Sequence, residues 1–382
     1  MKKEIVNQDV RELALERMDR IWDRYDRMAV AFSGGKDSTI VLHLALEVAA
    51  ARGALPLDVY FWDEEVLHPE TVEYVARVAA RPDVNMHWLC LPIEHRNACS
   101  KKVPYWHCWA EEDRAIWTRP MPDLECVKTV KDYPDFVRKA HDASITDLFP
   151  ADGSRVGWML GIRADESLRR YRSVTHRVED NYISAVSYAR WVDQIKPIYD
   201  WSTLDVWTAP HVFDWDHNRA YEVMSKAGIS PSNQRVCAPF GEQPLENLWM
   251  YQLCWPQLWE KMLARVPGAA TAGRYARTPL WGYGSVTKGE DETWEEVLSR
   301  EIEKWEPKTR KAVAIRIRNE IDSHSRTMPG VPIPDKELVY DKSDFTSGVT
   351  WTLLVKIAKR GDTKGRIAAC YRGREEDGST DV

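Results

Sequence analysis

Apolar and polar positions along the first hundred residues follow two periods in turn. Between residues 8 and 26, Val10, Leu13, Leu15, Met18, Ile21 and Trp22 recur at helical spacing with charges between them, which predicts an amphipathic helix. Residues 28–32 are a short apolar run of buried-strand length, and residues 39–51 are apolar nearly all round, as a buried helix is. Residues 57–62 predict a second strand, Pro69 sits where a first helical turn starts a helix to residue 80, and residues 85–93 predict a third strand. Strand–loop–helix–strand–helix–strand is the rhythm of an α/β fold with an open, mostly parallel, twisted sheet flanked by helices.

The pattern then weakens. Residues 95–152 are rich in Pro, Trp, Cys and charge with little periodicity, which reads as an insertion or lid with short helices. Strands are predicted again at 155–162 and 193–199, and helices at 204–207 and 218–227, with Gly228 as a natural cap. Beyond residue 260 the pattern is helical and polar. It is clearest at 293–305 and 308–321, followed by a linker at 330–334, a short final helix at 350–360 and a frayed tail from Arg372. The expected organisation is a domain over 1–260, a helical region over 261–330 and a divergent tail region over 331–382.

Composition narrows the class. The 382 residues are 44% hydrophobic and 29% charged, enough to bury a sizeable core. The net charge of −6 argues against coating nucleic acid by bulk charge, although residues 261–382 carry +3 and leave room for nucleic-acid contact through the C-terminal region. The 18 tryptophans are many, so some must face solvent, ligand or partner. The seven cysteines are odd in number and form no CxxC pair, which makes a secreted disulfide framework a poor fit. The N-terminus lacks an apolar signal region, and no run approaches the roughly 18 apolar residues of a membrane span. The expected compartment is the cytoplasm, with no membrane partner.

The chemistry concentrates in Ser33-Gly-Gly-Lys-Asp-Ser38, between the first strand and the following helix. Gly34 and Gly35 let the backbone turn tightly and bring N–H groups near an anion, and the helix adds its positive end. Lys36 supplies a cation, the Ser33 and Ser38 hydroxyls can donate to phosphate oxygens, and Asp37 can cap the helix or help hold Mg²⁺. The loop is neither GxxxxGK[ST] nor GxGxxG. A second group, Gly161-Ile-Arg-Ala-Asp-Glu-Ser167 with Arg169, Arg170 and Arg172, follows a predicted strand, where open α/β sheets place ligand groups. Asp63, Glu64 and Glu65 end the second strand, either as carboxylates for ribose, adenine or Mg²⁺ (Glu64 with Asp37) or as a solvated turn. Cys99, Cys108, Cys126 and Cys237 either converge on an iron–sulfur cluster, or with His107 on zinc, or are buried and unligated.

The run AFSGGKDSTIVLHLALE resembles the PP-loop of ATP pyrophosphatases, and within them the branch of ATP sulfurylase small subunits and phosphoadenosine phosphosulfate (PAPS) reductases. The second group resembles that branch's G-x-R-x-x-[DEQ]-S element. The resemblance implies that Arg163 clamps phosphate or sulfate, with Arg169 and Arg170 extending it. Residues 196–207 resemble the branch's P-I-x-x-W-x-x-x-D-V-W run, in which Trp201, Asp205 and Trp207 read as architecture. Residues 104–121, 235–269 and 294–309 are similar to a narrower PAPS-reductase-like, DUF3440-type subfamily, whose best-known member is the immunoglobulin-binding regulator A protein. Its members occur in bacteria and phages, often beside a ParB/sulfiredoxin-like partner.

The resemblance implies an adenine nucleotide ligand, ATP or PAPS, with three possible uses. The first is cleavage of ATP at the α-phosphorus to adenylate an acceptor, with Lys36 and Arg163 catalytic. The second is PAPS or APS reduction by Cys237, a lone thiolate activated by Arg235. The ECGLH, CC and CxxC elements of the true reductases are absent, which disfavours that use. The third is nucleotide sensing with a ParB/sulfiredoxin-like protein.

Overall fold

The computed structural model of the chain describes residues 7–100, 102–134, 136, 145–166, 168–175, 180–241, 244–275, 288–289, 291–335 and 349–362. Asp9 accepts the Arg11 and Glu12 N–H groups and so starts α1 (Val10–Trp22), which buries Ala14, Met18 and Ile21. Then come β1 (Arg27–Phe32), α2 (Lys36–Ala51), β2 (Leu57–Trp62), α3 (Pro69–Ala79, with Pro69 in its first turn) and β3 (Val84–Leu89). Helix α2 begins three residues earlier than apolar periodicity suggests, because the polar end of the loop forms its first turn.

The segment after β3 is more regular than its composition implies. It forms the antiparallel pair β4 (Glu94–Arg96) and β5 (Tyr105–His107), then β6 (Val127–Lys128) and α4 (Ile145–Leu148). Strand β6 pairs with β3 and becomes an edge of the main sheet, while Trp106, Cys108 and Trp109 are buried. The described residues of this stretch, expected as an insertion or lid with short helices, are thus built into the sheet edge and the core. Next come β7 (Val156–Met159), α5 (Leu168–Thr175), β8 (Ile183–Val186), β9 (Ala189–Ile195), α6 (Thr203–Val212), α7 (Ala220–Lys226), α8 (Leu248–Cys254), α9 (Pro256–Arg265) and α10 (Ala269–Tyr275). The predicted strand at 193–199 lies earlier, as β9, with β8 as its unforeseen antiparallel partner.

Seven strands form one sheet in the order β6-β3-β2-β1-β7-β9-β8, parallel except between β8 and β9. From β1 the chain builds outward through β2, β3 and β6, then returns to β7 on the other side of β1. The order reverses between β1 and β7, and the crevice at their carboxyl ends is where open α/β sheets hold ligands. Phe32, Phe61 and Trp88 stand in register across three strands and pack with Tyr74 of α3. That row fixes the strand ends beneath the crevice.

A buried ion network ties the carboxyl end of β2 to later chain. Glu65, at φ 65°, is fully buried. Its carboxylate accepts from Trp109 N, Thr118 N and two nitrogens of Arg265. Arg265 also donates to Asp113 and to the His107 carbonyl. Fully buried Asp63 accepts from Trp88 Nε1, Glu65 N and Arg119. Charges this deep are tolerated because every one is paired and hydrogen-bonded.

By internal contacts the chain divides into two compact units, residues 6–166 with 170–270, and residues 271–382 with 1–5 and 167–169. In the second unit, α11 (Trp294–Glu303), α12 (Pro307–Thr327) and α13 (Trp351–Arg360) share a core of Trp294, Val297, Val313, Ile317, Leu353 and Ile357. Thr293 and Glu296 form a capping box on α11, and Gly361 ends α13 at φ 61°. The tail from Arg372 lies outside the described residues. Among the described residues, no helix is long and apolar enough to cross a membrane.

Arg265→Ala leaves Glu65 charged, buried and short of two donors, so urea denaturation should show a loss of about 3–5 kcal/mol. A change within about 0.5 kcal/mol would mean that the network is not structural.

Candidate functional site

The Ser33–Ser38 loop turns at Gly34, whose φ of 68° places it in the left-handed region that favours glycine. A Cβ there would also stand 3.2 Å from Thr71 Cγ2. The Gly34 carbonyl is held by Asn218 Nδ2 at 2.8 Å, and Asn218 also donates to Thr71 Oγ1. Gly35 is the N-cap residue of α2 and has no side chain to cap the helix. Its carbonyl takes the Ser38 and Thr39 hydroxyls, and its N–H reaches Ser33 Oγ at 3.4 Å. The Ser38 hydroxyl proton thus closes the loop internally and is not offered to a ligand. Ser33 is exposed, with its Oγ 3.0 Å from Ser38 Oγ.

Three amides of the first turn of α2 follow. Lys36 N donates to Tyr221 Oη at 3.0 Å, whereas the N–H groups of Asp37 and Ser38 have no acceptor among the described residues. Two free donors at the positive end of a 16-residue helix form an anion cradle. Lys36 Nζ lies 3.1 Å from Asp37 Oδ2 and 5.8 Å from the centre of the Trp207 ring.

The β7 end presses on the same turn. A Cβ at Gly161 would stand 2.7 Å from both Asp37 C and Ser38 N, so no other residue fits without moving α2. Arg163 has 2% of its surface exposed and donates through Nε to Asp37 Oδ1 at 2.5 Å, with Trp201 O and Thr203 Oγ1 each 3.4 Å from Nη1. Burial alone would raise the Asp37 carboxyl, but Lys36 and Arg163 together hold it below its ordinary range, so it is ionised at neutral pH. Arg163 therefore reaches the loop as expected, but as the buried partner of Asp37 and not as an open oxyanion clamp. Glu166 lies 3.8 Å from Arg163 and pairs with Arg170, which is exposed on α5. The side chain of Arg169 lies outside the described residues.

The acids ending β2 divide by burial. Asp63, expected to meet the nucleotide, is instead closed inside the β2–β3 network, because Trp88, Glu65 N and Arg119 satisfy its carboxylate. Glu64 is partly exposed and lies within electrostatic reach of Cys237 and Tyr251. As they stand, Asp37 and Glu64 do not fit a Mg²⁺ site, since both Asp37 oxygens already face cations.

Cys237 is exposed beside the loop. Val236 Cγ2 would be 3.3 Å from a Cβ on Gly35, and Lys36 and Arg235 are among the charges that act on the thiol. Its surroundings nevertheless raise its pKa, because desolvation in the crowded wall outweighs Arg235, which corrects the expectation of an activated thiolate. Cys99 and Cys108 are buried, with burial pushing the Cys99 thiol up to about 12, and Cys126 is half-buried. Among the described residues, no three or more His, Cys, Asp or Glu side chains are grouped to hold a metal ion.

Motif reading overlooked Asn218 and Tyr221, which fix Gly34 and Lys36 from α7 and the turn before it. Neither belongs to a recognisable pattern, and each is about 185 residues from its partner. Gly161→Ala should shift the first turn of α2, costing about 1–3 kcal/mol in denaturation and weakening anion binding measured by calorimetry. Unchanged stability and affinity would show that β7 does not set the turn.

The family model described as phosphoadenosine phosphosulfate reductase domain matches residues 27–211, and that of a domain of unknown function, DUF3440, matches residues 228–328. The uncharacterized protein YbdN of Escherichia coli K12 is 31% identical over 306 residues, covering 75% of this chain and 73% of that protein. Among solved structures, the FMN adenylyltransferase of Candida glabrata is 11% identical at TM-score 0.34, covering 58% of this chain and 63% of its own. The PAPS reductase of Candida auris is 13% identical at TM-score 0.33, covering 58% and 94%. The U34-tRNA thiolase NcsA of Methanococcus maripaludis is 11% identical at TM-score 0.31, covering 74% and 84%. These structural likenesses are too faint to weigh in the reading of the site. The glycine-turn loop at the β1–β7 crevice, the matched reductase domain and the extent of identity with YbdN place the chain in the PP-loop, PAPS-reductase-like family that it shares with that protein.

Proposed function

We propose that the chain binds ATP with its phosphates on the Ser33–Ser38 loop and cleaves it at the α-phosphorus, transferring the adenylyl group to an acceptor. An acceptor oxygen forms a bond to the α-phosphorus, the bond from that phosphorus to the bridging oxygen breaks, and pyrophosphate leaves with the electron pair. The observation that carries the reading is the pair of amides without an acceptor among the described residues, Asp37 N–H and Ser38 N–H, beside the Lys36 ammonium at the strand-order reversal. Donors fixed before the ligand arrives need no reorganisation as charge builds on the phosphate oxygens. Lys36 neutralises that charge once it leaves Asp37, and Arg163 acts as a positioning residue that keeps Asp37 ionised and in place.

Pyrophosphate release on adding ATP with candidate acceptors, such as sulfate, aromatic carboxylates or nucleic acid, tests the reading. Lys36→Ala should lower turnover by about 100-fold. Silence with every acceptor, together with no ATP affinity by calorimetry, would overturn it. ATP affinity without turnover would instead favour a nucleotide-sensing role.

One observation supports a second reading. Cys237 is exposed in the segment that flanks Gly35 and feels the charge of Lys36, where a thiol could take the sulfo group of a sulfonucleotide held on the loop. Attack on sulfur would form a thiosulfonate and release adenosine 3′,5′-bisphosphate, and a dithiol such as thioredoxin would supply the two electrons that free sulfite. Sulfite formation from PAPS with thioredoxin, abolished in Cys237→Ser, would establish this reading, and its absence in the parent protein would exclude it.

A further inference from the structure

Between α6, α7 and the first turn of α2 the first unit opens into a cleft of about 330 Å³. That size lies at the lower end of the roughly 300–1,000 Å³ of small-molecule sites. Val206, Trp207, Pro210 and Tyr221 make its apolar wall. Trp207 and Tyr221 meet edge to face with centroids 5.2 Å apart, which locks the indole as a flat platform. Trp207 Nε1 is buried without an acceptor among the described residues, so the platform also holds an unused donor.

Two lysines, Lys36 and Lys226, supply the positive charge around this wall. Lys36 projects over the Trp207 ring from the loop side, and His211, His217 and Lys226 line the cleft elsewhere. The single lining acid, Glu222, is paired with Arg219 at 2.6 Å and lies 3.4 Å from His217. An aromatic platform flanked by two lysines suits a planar ring that carries a negative charge. The cleft also communicates with the loop: Lys36 belongs to both, and the lining residue Asn218 holds the Gly34 carbonyl.

We infer that this cleft is the acceptor site and that it takes a small aromatic carboxylate, its ring on Trp207 and its carboxylate turned toward Lys36. The acceptor role rests on the adenylyl-transfer reading, whereas the binding of such a ligand does not. A carboxylate oxygen at Lys36 is placed to bond to the α-phosphorus as pyrophosphate departs, giving an acyl adenylate with no change in oxidation state. Trp207, assigned to architecture from its motif alone, becomes the residue that selects the acceptor.

Saturation-transfer NMR on the full chain, with benzoate as probe and no ATP present, tests the site. Benzoate should receive saturation, while cyclohexanecarboxylate and benzyl alcohol, which lack the ring or the charge, should receive far less. Lys226→Glu changes an exposed side chain and should weaken benzoate by about fivefold or more. Trp207→Leu should abolish the signal and Trp207→Phe should keep part of it; if Trp207→Leu does not fold, Lys226→Glu and the ligand comparison still decide. No transfer to benzoate, equal transfer to cyclohexanecarboxylate, or transfer unchanged in Lys226→Glu would overturn the site. ATP affinity is read separately by calorimetry, so benzoate binding in a protein that binds no ATP would overturn the acceptor role and not the cleft.

Discussion

The first turn of α2 is gripped from both sides, and the chemistry of the molecule depends on that grip. On one side the chain leaving β7 lies so close that Gly161 has no room for a side chain, and Arg163, two residues on, is buried against Asp37. On the other side Asn218 and Tyr221 hold the Gly34 carbonyl and the Lys36 amide. A helix end left to itself frays and turns its donors to water. This one is fixed, so the Asp37 and Ser38 amides stay aimed at a single place.

The same economy governs the charged residues. Of the three acids that end β2, Asp63 and Glu65 are spent on binding β5, the residues near 109–119 and α9 to the sheet, because a buried carboxylate without donors would be costly. Glu64 is left on the side that Cys237 shares. Around the loop, Asp37 pairs with both Lys36 and Arg163, and one carboxylate against two cations leaves the group with a net positive charge.

The crevice and the cleft at α6 and α7 meet at Lys36. One offers amides and the other an aromatic platform, and in the proposed adenylyl transfer these would serve different substrates: a phosphate chain needs fixed donors, and a planar acceptor needs a surface. Cys237 stands on a third side, with its thiol raised by crowding, so a role as nucleophile would require the bound ligand to change that environment.

Much of this was legible in the chain itself. The strand and helix periods up to residue 80, the glycine turn and the helix beginning at 69 are local properties, fixed by side-chain period and backbone freedom within a few residues. The helices near 294–327 and 351–360 were legible for the same reason. Sequence alone could not decide which acid after β2 would face the ligand, whether Arg163 would meet an anion or Asp37, or that a weakly patterned stretch would add an edge strand and a buried wall. Those outcomes depend on Arg119, Arg265, Asn218 and Tyr221, partners between 54 and 200 residues away whose charges, amide and hydroxyl act only once the chain has folded. Local pattern fixes the backbone's shape, whereas burial and pairing assign each polar side chain its work, and both arise only in the packed molecule.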